Sequence, residues 1–332
     1  MPSTPPAELT FKFRFLKNGQ AAGFTAWKGT ATAEALILGD DAIAYSRIID
    51  RAVSDDRLVL GISDAGSLTE GTAKFLLPGG LLPLVVYGPI GPLLEIIDRQ
   101  SSQAQCEEHR RQLTAAGNEK QFHSVDCPQC GAAIDLSDVP ETRYVHCRYC
   151  DSIFEEAGEL VTSGKDYRLC EGCHLFGRVR GYTEFYFYFL VFVYGYSSSR
   201  KHVCDGCAHG LFVKTLLANF LFVLGVPSAI TIKVRSLKGR DPRLKKLSDA
   251  NQLALAGRFD QSTPLYREMH QAIQGHPGLL YNEAMGYFQS NRTEEGIKML
   301  NGALQTCGNY GPVLRVLAEL QQHAEAAEPQ PE

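Results

Sequence analysis

Eight of the ten cysteines in this 332-residue chain fall into four Cys-x-x-Cys pairs: Cys127/Cys130, Cys147/Cys150, Cys170/Cys173 and Cys204/Cys207. A pair at this spacing suits a tight knuckle whose two sulfurs point at one ion. Two knuckles complete the tetrahedral sulfur set that zinc prefers. The first two pairs have 16 residues between them and the last two have 30. Only the first interval falls within the usual four-cysteine spacing. Disulfides would require an oxidising compartment, whereas the start Met1–Pro6 has neither the charged nor the apolar region of a secretion signal. A redox Cys-x-x-Cys normally occurs once, beside a βαβ pattern that is missing here. Four thiolates could also hold an iron–sulfur cluster, but paired knuckles favour zinc. The expectation is two Zn2+ sites, each closed by four thiolates with no position left for water, and therefore structural. His146, His174, His202 and His209 flank the pairs and are read as neighbours rather than ligands. Cys106 and Cys307 are read as small buried hydrophobes.

The residues around the first two pairs agree with that chemistry. Gly131 follows Cys130, where a knuckle needs positive φ, and Ser152-Ile153-Phe154 after Cys150 is a short β-prone stretch. Residues 124–156 resemble the zinc-ribbon family, which implies a small β scaffold around one metal. Residues 165–210 form a second four-cysteine module with a hydrophobic insert, Phe185–Tyr194. That run is too short for a spanning helix. It reads as a long β-hairpin, and the sharper alternative rests it as an aromatic wedge in a membrane interface.

The elements that must carry these sites make a multidomain α+β chain. Residues 1–8 and 323–332 are polar or proline-rich ends, expected to be disordered. Residues 9–117 read as an antiparallel β domain with a closing helix. Phe11, Phe13 and Phe15 alternate with Lys12 and Arg14, and Ala35–Leu38, Ala42–Tyr45, Arg47–Asp50, Arg57–Leu60 and Val85–Tyr87 are further strands. Asp40/Asp41 and Asp55/Asp56 are expected as solvated turn residues. A helical pattern runs from Leu93 to a stop at Gly117. Strands in meander order closed by one helix resemble the pleckstrin-homology-like fold. That fold serves many functions, and the few basic residues are scattered along the chain.

Residues 211–246 combine an apolar segment, Leu211–Ile232, with the basic cluster Lys233, Arg235, Lys238, Arg240, Arg243, Lys245 and Lys246. The segment reads either as buried helices or as an interfacial hairpin held to anionic lipid. Residues 247–322 resemble tetratricopeptide repeats. Ala250, Leu253 and Ala256 lead into a turn at Gly257–Asp260, then Leu265, Tyr266 and Met269. A second copy runs through Ala284, Asn291-Arg292, Gly296 and Ala303, and Val313–Leu320 follows as a capping half-repeat. The resemblance implies a protein or peptide ligand. Fewer than three full repeats need another surface to lean on.

No phosphate loop, nucleophile elbow or His-Glu-x-x-His motif occurs. The leading expectation is a non-catalytic, cytoplasmic adaptor with peripheral or monotopic membrane contact. The alternative is a nucleic-acid-binding or transcription-related ribbon using Arg143, His146, Arg148 and Tyr149. A formal charge of −4 weighs against a general nucleic-acid binder.

Overall fold

The computed structural model describes residues 8–54, 56–88, 90–190, 193–218 and 241–327. The chain divides into two compact units, residues 1–138 and 139–332.

The first unit begins with β1 (Leu9–Lys17), β2 (Gln20–Ala21), β3 (Trp27–Ala31), β4 (Ala35–Leu38), β5 (Asp41–Ala44), β6 (Ile48–Ser54), β7 (Arg57–Ile62), a short α1 (Glu70–Ala73), β8 (Leu81–Tyr87) and α2 (Ile90–Ala115). Pairing is antiparallel throughout, in the order β5-β4-β3-β1-β8-β7-β6, with β2 on β1. This is not a simple meander, because β8 returns to lie beside β1. Only Tyr45–Arg47 separate β5 from β6, so the two edges of the sheet lie close together and the sheet curls. The alternating residues Phe11, Phe13 and Phe15 enter the core with Leu36, Leu38, Leu58, Leu60, Leu82 and Leu84. α2 closes it with Leu93, Ile96 and Ile97, spaced along one helical face. Gly117, at φ +76°, ends the helix, and the Asn118 N–H donates to Leu113 O.

Three expectations are corrected here. Asp41 is buried rather than solvated, because its carboxylate accepts from the Thr69 N–H (2.8 Å) and hydroxyl (2.7 Å) and so pins the segment before α1. Asp55 lies outside the described residues. The strand expected at Val85–Tyr87 starts at Leu81 and includes Pro83, whose β7 partner is Val59, while the β1 ladder stops at Phe15/Leu84. The basic residues are scattered in sequence but not in register: Lys12 lies opposite Lys28, and Arg14 and Arg57 both lie opposite Val85. β9 (Ser124–Asp126) and β10 (Ala133–Asp135) complete the unit as a hairpin against α2, where Ser102 Oγ accepts from the Ala133 N–H at 2.9 Å.

The second unit holds β11 (Tyr144–His146), β12 (Ile153–Glu155) and β13 (Leu160–Thr162) as one small sheet, and β14 (Tyr167–Leu169), β15 (Phe176–Leu190) and β16 (Val193–Cys204) as another. α3 (Asp205–Ala218) follows, then five helices after residue 240: α4 (Leu247–Leu255), α5 (Phe259–Ala272), α6 (Pro277–Gln289), α7 (Thr293–Thr306) and α8 (Gly311–Ala327). Phe259 and Asp260, expected in a turn, open α5. α8 runs past Gln322 to Ala327. Of the expected apolar segment and basic cluster, residues 219–240 lie outside the described residues, as do the ends 1–7 and 328–332.

These helices do not stand alone. Tyr144, Ile153, Val161, Tyr167 and Phe176 share one hydrophobic core with Leu247, Phe259, Tyr266, Leu279, Tyr281, Leu300 and Tyr310. Asparagine side chains fix the registry. Asn282 accepts from the Phe176 N–H (2.7 Å) and donates to Phe176 O (2.7 Å), as a neighbouring strand would. Asn251 donates to the same carbonyl (2.9 Å), and its own oxygen accepts from the Tyr266 hydroxyl and from Asn282. Asn309 repeats the clamp on His146, donating to its carbonyl and accepting from its N–H, both at 2.9 Å. Asn282→Ala leaves the buried Phe176 N–H without its acceptor and is expected to cost about 3 kcal/mol. The shift of the urea midpoint measures this.

His276 is fully buried at the start of α6, where Nδ1 accepts from the Gly278 N–H at 3.2 Å. Burial is the main cause that lowers its pKa from 6.5 to about 3. The unfolded chain therefore takes up a proton below pH 6.5 that the folded chain refuses. The stability contributed above that pH is lost as pH falls toward 3, by about 1.4 kcal/mol per unit. Between pH 7 and pH 5 the wild type is expected to lose about 2 kcal/mol more than His276→Asn, which keeps a helix-capping acceptor. Paired urea titrations at the two pH values isolate this difference from acid effects on the cysteines.

Candidate metal centres

The cysteines gather into two sets, Cys127/Cys130/Cys147/Cys150 and Cys170/Cys173/Cys204/Cys207, with the sulfurs of each set all within 4.8 Å of one another. Cys173 Sγ and Cys204 Sγ are 3.8 Å apart. A tetrahedron with Zn–S bonds of about 2.3 Å has edges of about 3.8 Å. Two structural Zn2+ sites fit the chain.

Three of the four pairs share one backbone design. In the first, Cys127 O accepts from the Gly131 N–H (2.8 Å) and the Cys127 N–H donates to Ala132 O (2.9 Å). Cys147 does the same with Asp151 (2.8 Å) and Ser152 (2.9 Å), and Cys170 with His174 (2.9 Å) and Leu175 (3.0 Å). Each design turns on a residue of positive φ: Gly131 at +69°, Asp151 at +59° and His174 at +57°. Gly131 has a second constraint, because the Arg99 guanidinium lies where its Cβ would stand and donates to Cys130 O at 3.1 Å.

The fourth pair departs from the expected knuckle turn. Cys204 ends β16 and Cys207 lies in the first turn of α3, so the second module runs knuckle, hairpin, helix. A helix N-terminus suits the excess negative charge of a four-thiolate zinc site. Asp205 in that turn is held by the buried Arg178 at 3.1 Å. Cys170 Sγ accepts from the backbone N–H of Gly172 (3.3 Å) and Cys204 (3.1 Å), the outer contacts that orient a metal thiolate. In the first set, Ser152 Oγ lies 3.0 Å from Cys150 Sγ and can donate to the thiolate.

None of the flanking histidines enters a set. His146 is buried edge-on against Tyr310, His174 supplies a knuckle turn, His202 Nδ1 lies 3.2 Å from Glu171, and His209 stacks on Phe212. Cys106 and Cys307 are buried away from both sets. The basic and aromatic residues of the first ribbon do not make one surface. Arg143 is engaged by Glu155 at 3.0 Å, Arg148 lies over the Tyr149 ring, and His146 is inside. Within the basic cluster, Arg243 pairs with Asp241 (2.9 Å) and Lys246 with Glu268 (2.6 Å).

Sequence reasoning missed Gly164, which lies in the turn between the two small sheets and against the backbone of Cys150–Ser152. It also missed the asparagine clamps. Compared with known protein families, curated proteins and solved structures, the chain gives no significant match.

Proposed function

We propose that this chain is a non-catalytic, zinc-stabilised scaffold of the cytoplasm that takes a protein partner on its tetratricopeptide-like helices and rests against an anionic membrane surface. The observation that carries the scaffold reading is the docking of α4, α6 and the turn before α8 onto the metal modules through Asn251, Asn282 and Asn309. Polar clamps on main-chain groups fix geometry more than they add stability, and fixed geometry is what a scaffold needs. The clamps also narrow where a partner can bind. The face on which α4 and α6 meet is filled by the chain's own Phe176, so the partner takes the outward face. Leu255 at the end of α4 and Leu314 in α8 are exposed apolar residues, at 40% and 45%, and are the positions chosen to test this.

The test is affinity capture with the full-length, zinc-loaded chain beside Leu255→Glu and Leu314→Glu. Recovery of one protein partner, lost in either variant while both zinc ions remain, is the expected result. Salt-sensitive retention of DNA or RNA instead of a protein would overturn the reading in favour of nucleic-acid binding.

A further inference from the structure

The outer face of the curled sheet in the first unit carries a basic row. Phe11, Phe13 and Phe15 point into the core, so Lys12 and Arg14 stand on the opposite face of β1. Register adds Lys28, directly opposite Lys12, and Arg57, which meets Arg14 across Val85. Like charges opposite each other on neighbouring strands are destabilising, and neither Lys12 nor Lys28 has an ion pair among the described residues. By alternation the acids of this face are Glu8, just before β1, and Asp50 on β6, each two rows from the nearest of these cations. Asp40 and Asp56 lie in turns at its margins. Beside the row the sheet is interrupted. β1 pairs with β3 as far as Phe13/Trp27 and with β2 from Leu16/Ala21, and the Ala22 N–H donates to Phe15 O at 2.8 Å. Only Arg14 is left opposite Gly23–Ala26, so these four residues leave the ladder as a loop. The Arg14 guanidinium donates to Gly23 O at 2.9 Å and to the Tyr87 hydroxyl, which ties the root of the loop to the basic face. Phe24, the next residue, is wholly exposed. It sits in an uncharged stretch, residues 18–27, bounded by Lys17 and Lys28.

We propose that this face rests on an anionic bilayer, with Lys12 and Lys28 against the headgroups and Phe24 entering the boundary beneath them; the inference rests on the membrane part of the function proposed above and assigns it to the first unit. Charge selects the class of surface. A negative leaflet supplies the countercharge that the facing lysines lack, and its attraction grows with each basic residue brought near it. The loop decides between lipid and an acidic protein. Carboxylates offer nothing to a wholly exposed phenylalanine on an uncharged loop, whereas the acyl boundary takes its ring out of water. Lysine stems can lie along the same boundary while their ammonium groups reach the phosphates. The tie from Arg14 to Gly23 O holds the apolar tip and the basic row on one side of the sheet, so one surface can meet both.

The experiment is flotation of the full-length, zinc-loaded chain with phosphatidylcholine vesicles and with phosphatidylcholine/phosphatidylserine vesicles. The wild type is expected to float with the second and poorly with the first. Lys12→Ser with Lys28→Ser lowers that partition roughly thirtyfold, and Phe24→Ser lowers it about tenfold. All three side chains are exposed, so the urea midpoint of each variant is expected to match or exceed that of the wild type, and lost flotation is then not lost folding. If the wild type floats with neither vesicle, the membrane reading itself falls, and this assignment with it. If it floats with the anionic vesicles and both variants float equally well, the membrane reading stands and this face is not the anchor. Equal flotation of the wild type with both vesicles overturns the role of the lysines, and full flotation of Phe24→Ser alone overturns entry of the tip. Lysine-dependent binding of polyglutamate by a chain that ignores the vesicles makes an acidic protein the occupant and overturns the proposal.

Discussion

Stripping the metal with a strong chelator at pH 7 is expected to unfold the second unit while the curled sheet of the first keeps its structure. The magnitudes leave little choice. A structural zinc site contributes on the order of 10–16 kcal/mol, and a domain of this size holds in total about 5–15 kcal/mol. Two of the ligands, Cys170 and Cys204, are part of the small buried cluster of the second module, with Val179, Tyr182, Val203 and Ala208, so that cluster cannot stay packed once the metal leaves. Phe176, six residues after Cys170, is the residue on which Asn251 and Asn282 close. Loss of the ion therefore releases α4 and α6 as well. The core of the first unit is built from Phe13, Phe15, Leu36, Leu60 and Leu84 and contains no cysteine of either set. The freshly isolated, reduced chain should carry two zinc ions per molecule. Cys170→Ser should carry one, with helical circular dichroism lost and hydrogen exchange accelerated across residues 165–218 and 241–327 but not across residues 9–115. Isolated protein with no stoichiometric metal would remove the premise.

What could be read from the sequence follows from how local each interaction is. Metal ligation is signalled by short spacing, so the eight cysteines stand out without any tertiary information. The alternation of Phe11, Phe13 and Phe15 likewise needs only the period of a strand. The fourth cysteine pair shows the limit of spacing. Two residues three positions apart fit a knuckle, and they also fit one turn of a helix, so Cys204/Cys207 carries no mark of which it is. Asn251 and Asn282 look like ordinary polar helix positions, and Asn309 like an ordinary turn residue, because their value lies in Phe176 and His146, tens to more than a hundred residues away. Asp41 looks like a turn residue because it directly follows the Gly39-Asp40 turn; it opens β5, and its burial is decided by Thr69. The pairing of Lys12 with Lys28 depends on register, which alternation alone does not fix.

Gly164→Ala is expected to disable the first metal site while sparing the second. The turn Ser163–Asp166 crosses the outer side of the Cys147/Cys150 knuckle, and a Cβ on Gly164 would overlap Cys150 O, Asp151 C and Ser152 N. All three are main-chain atoms, so no side chain can swing away. Neither partner can yield alone. The knuckle is held by Asp151 N–H to Cys147 O (2.8 Å) and Cys147 N–H to Ser152 O (2.9 Å). The turn is held by the N–H groups of Asp166 (2.9 Å) and Tyr167 (2.7 Å) on Ser163 O. Relief means either breaking the knuckle, which misplaces the Cys150 thiolate, or moving Tyr167, which is in the core. Overpacking against flexible side chains usually costs about 1–3 kcal/mol, and a clash with fixed main chain should exceed that, at about 4 kcal/mol. Gly158→Ala is the control. Gly158 has φ +87° but nothing within 4 Å of its Cβ position, so only backbone strain of about 1 kcal/mol is expected. Zinc release to a chromogenic chelator should turn from one slow process into two for Gly164→Ala, with one ion released early and one retained. Gly158→Ala should release both at nearly the wild-type rate. If Gly164→Ala also kept both ions at that rate, the close crossing of turn and knuckle would not be a constraint on the site.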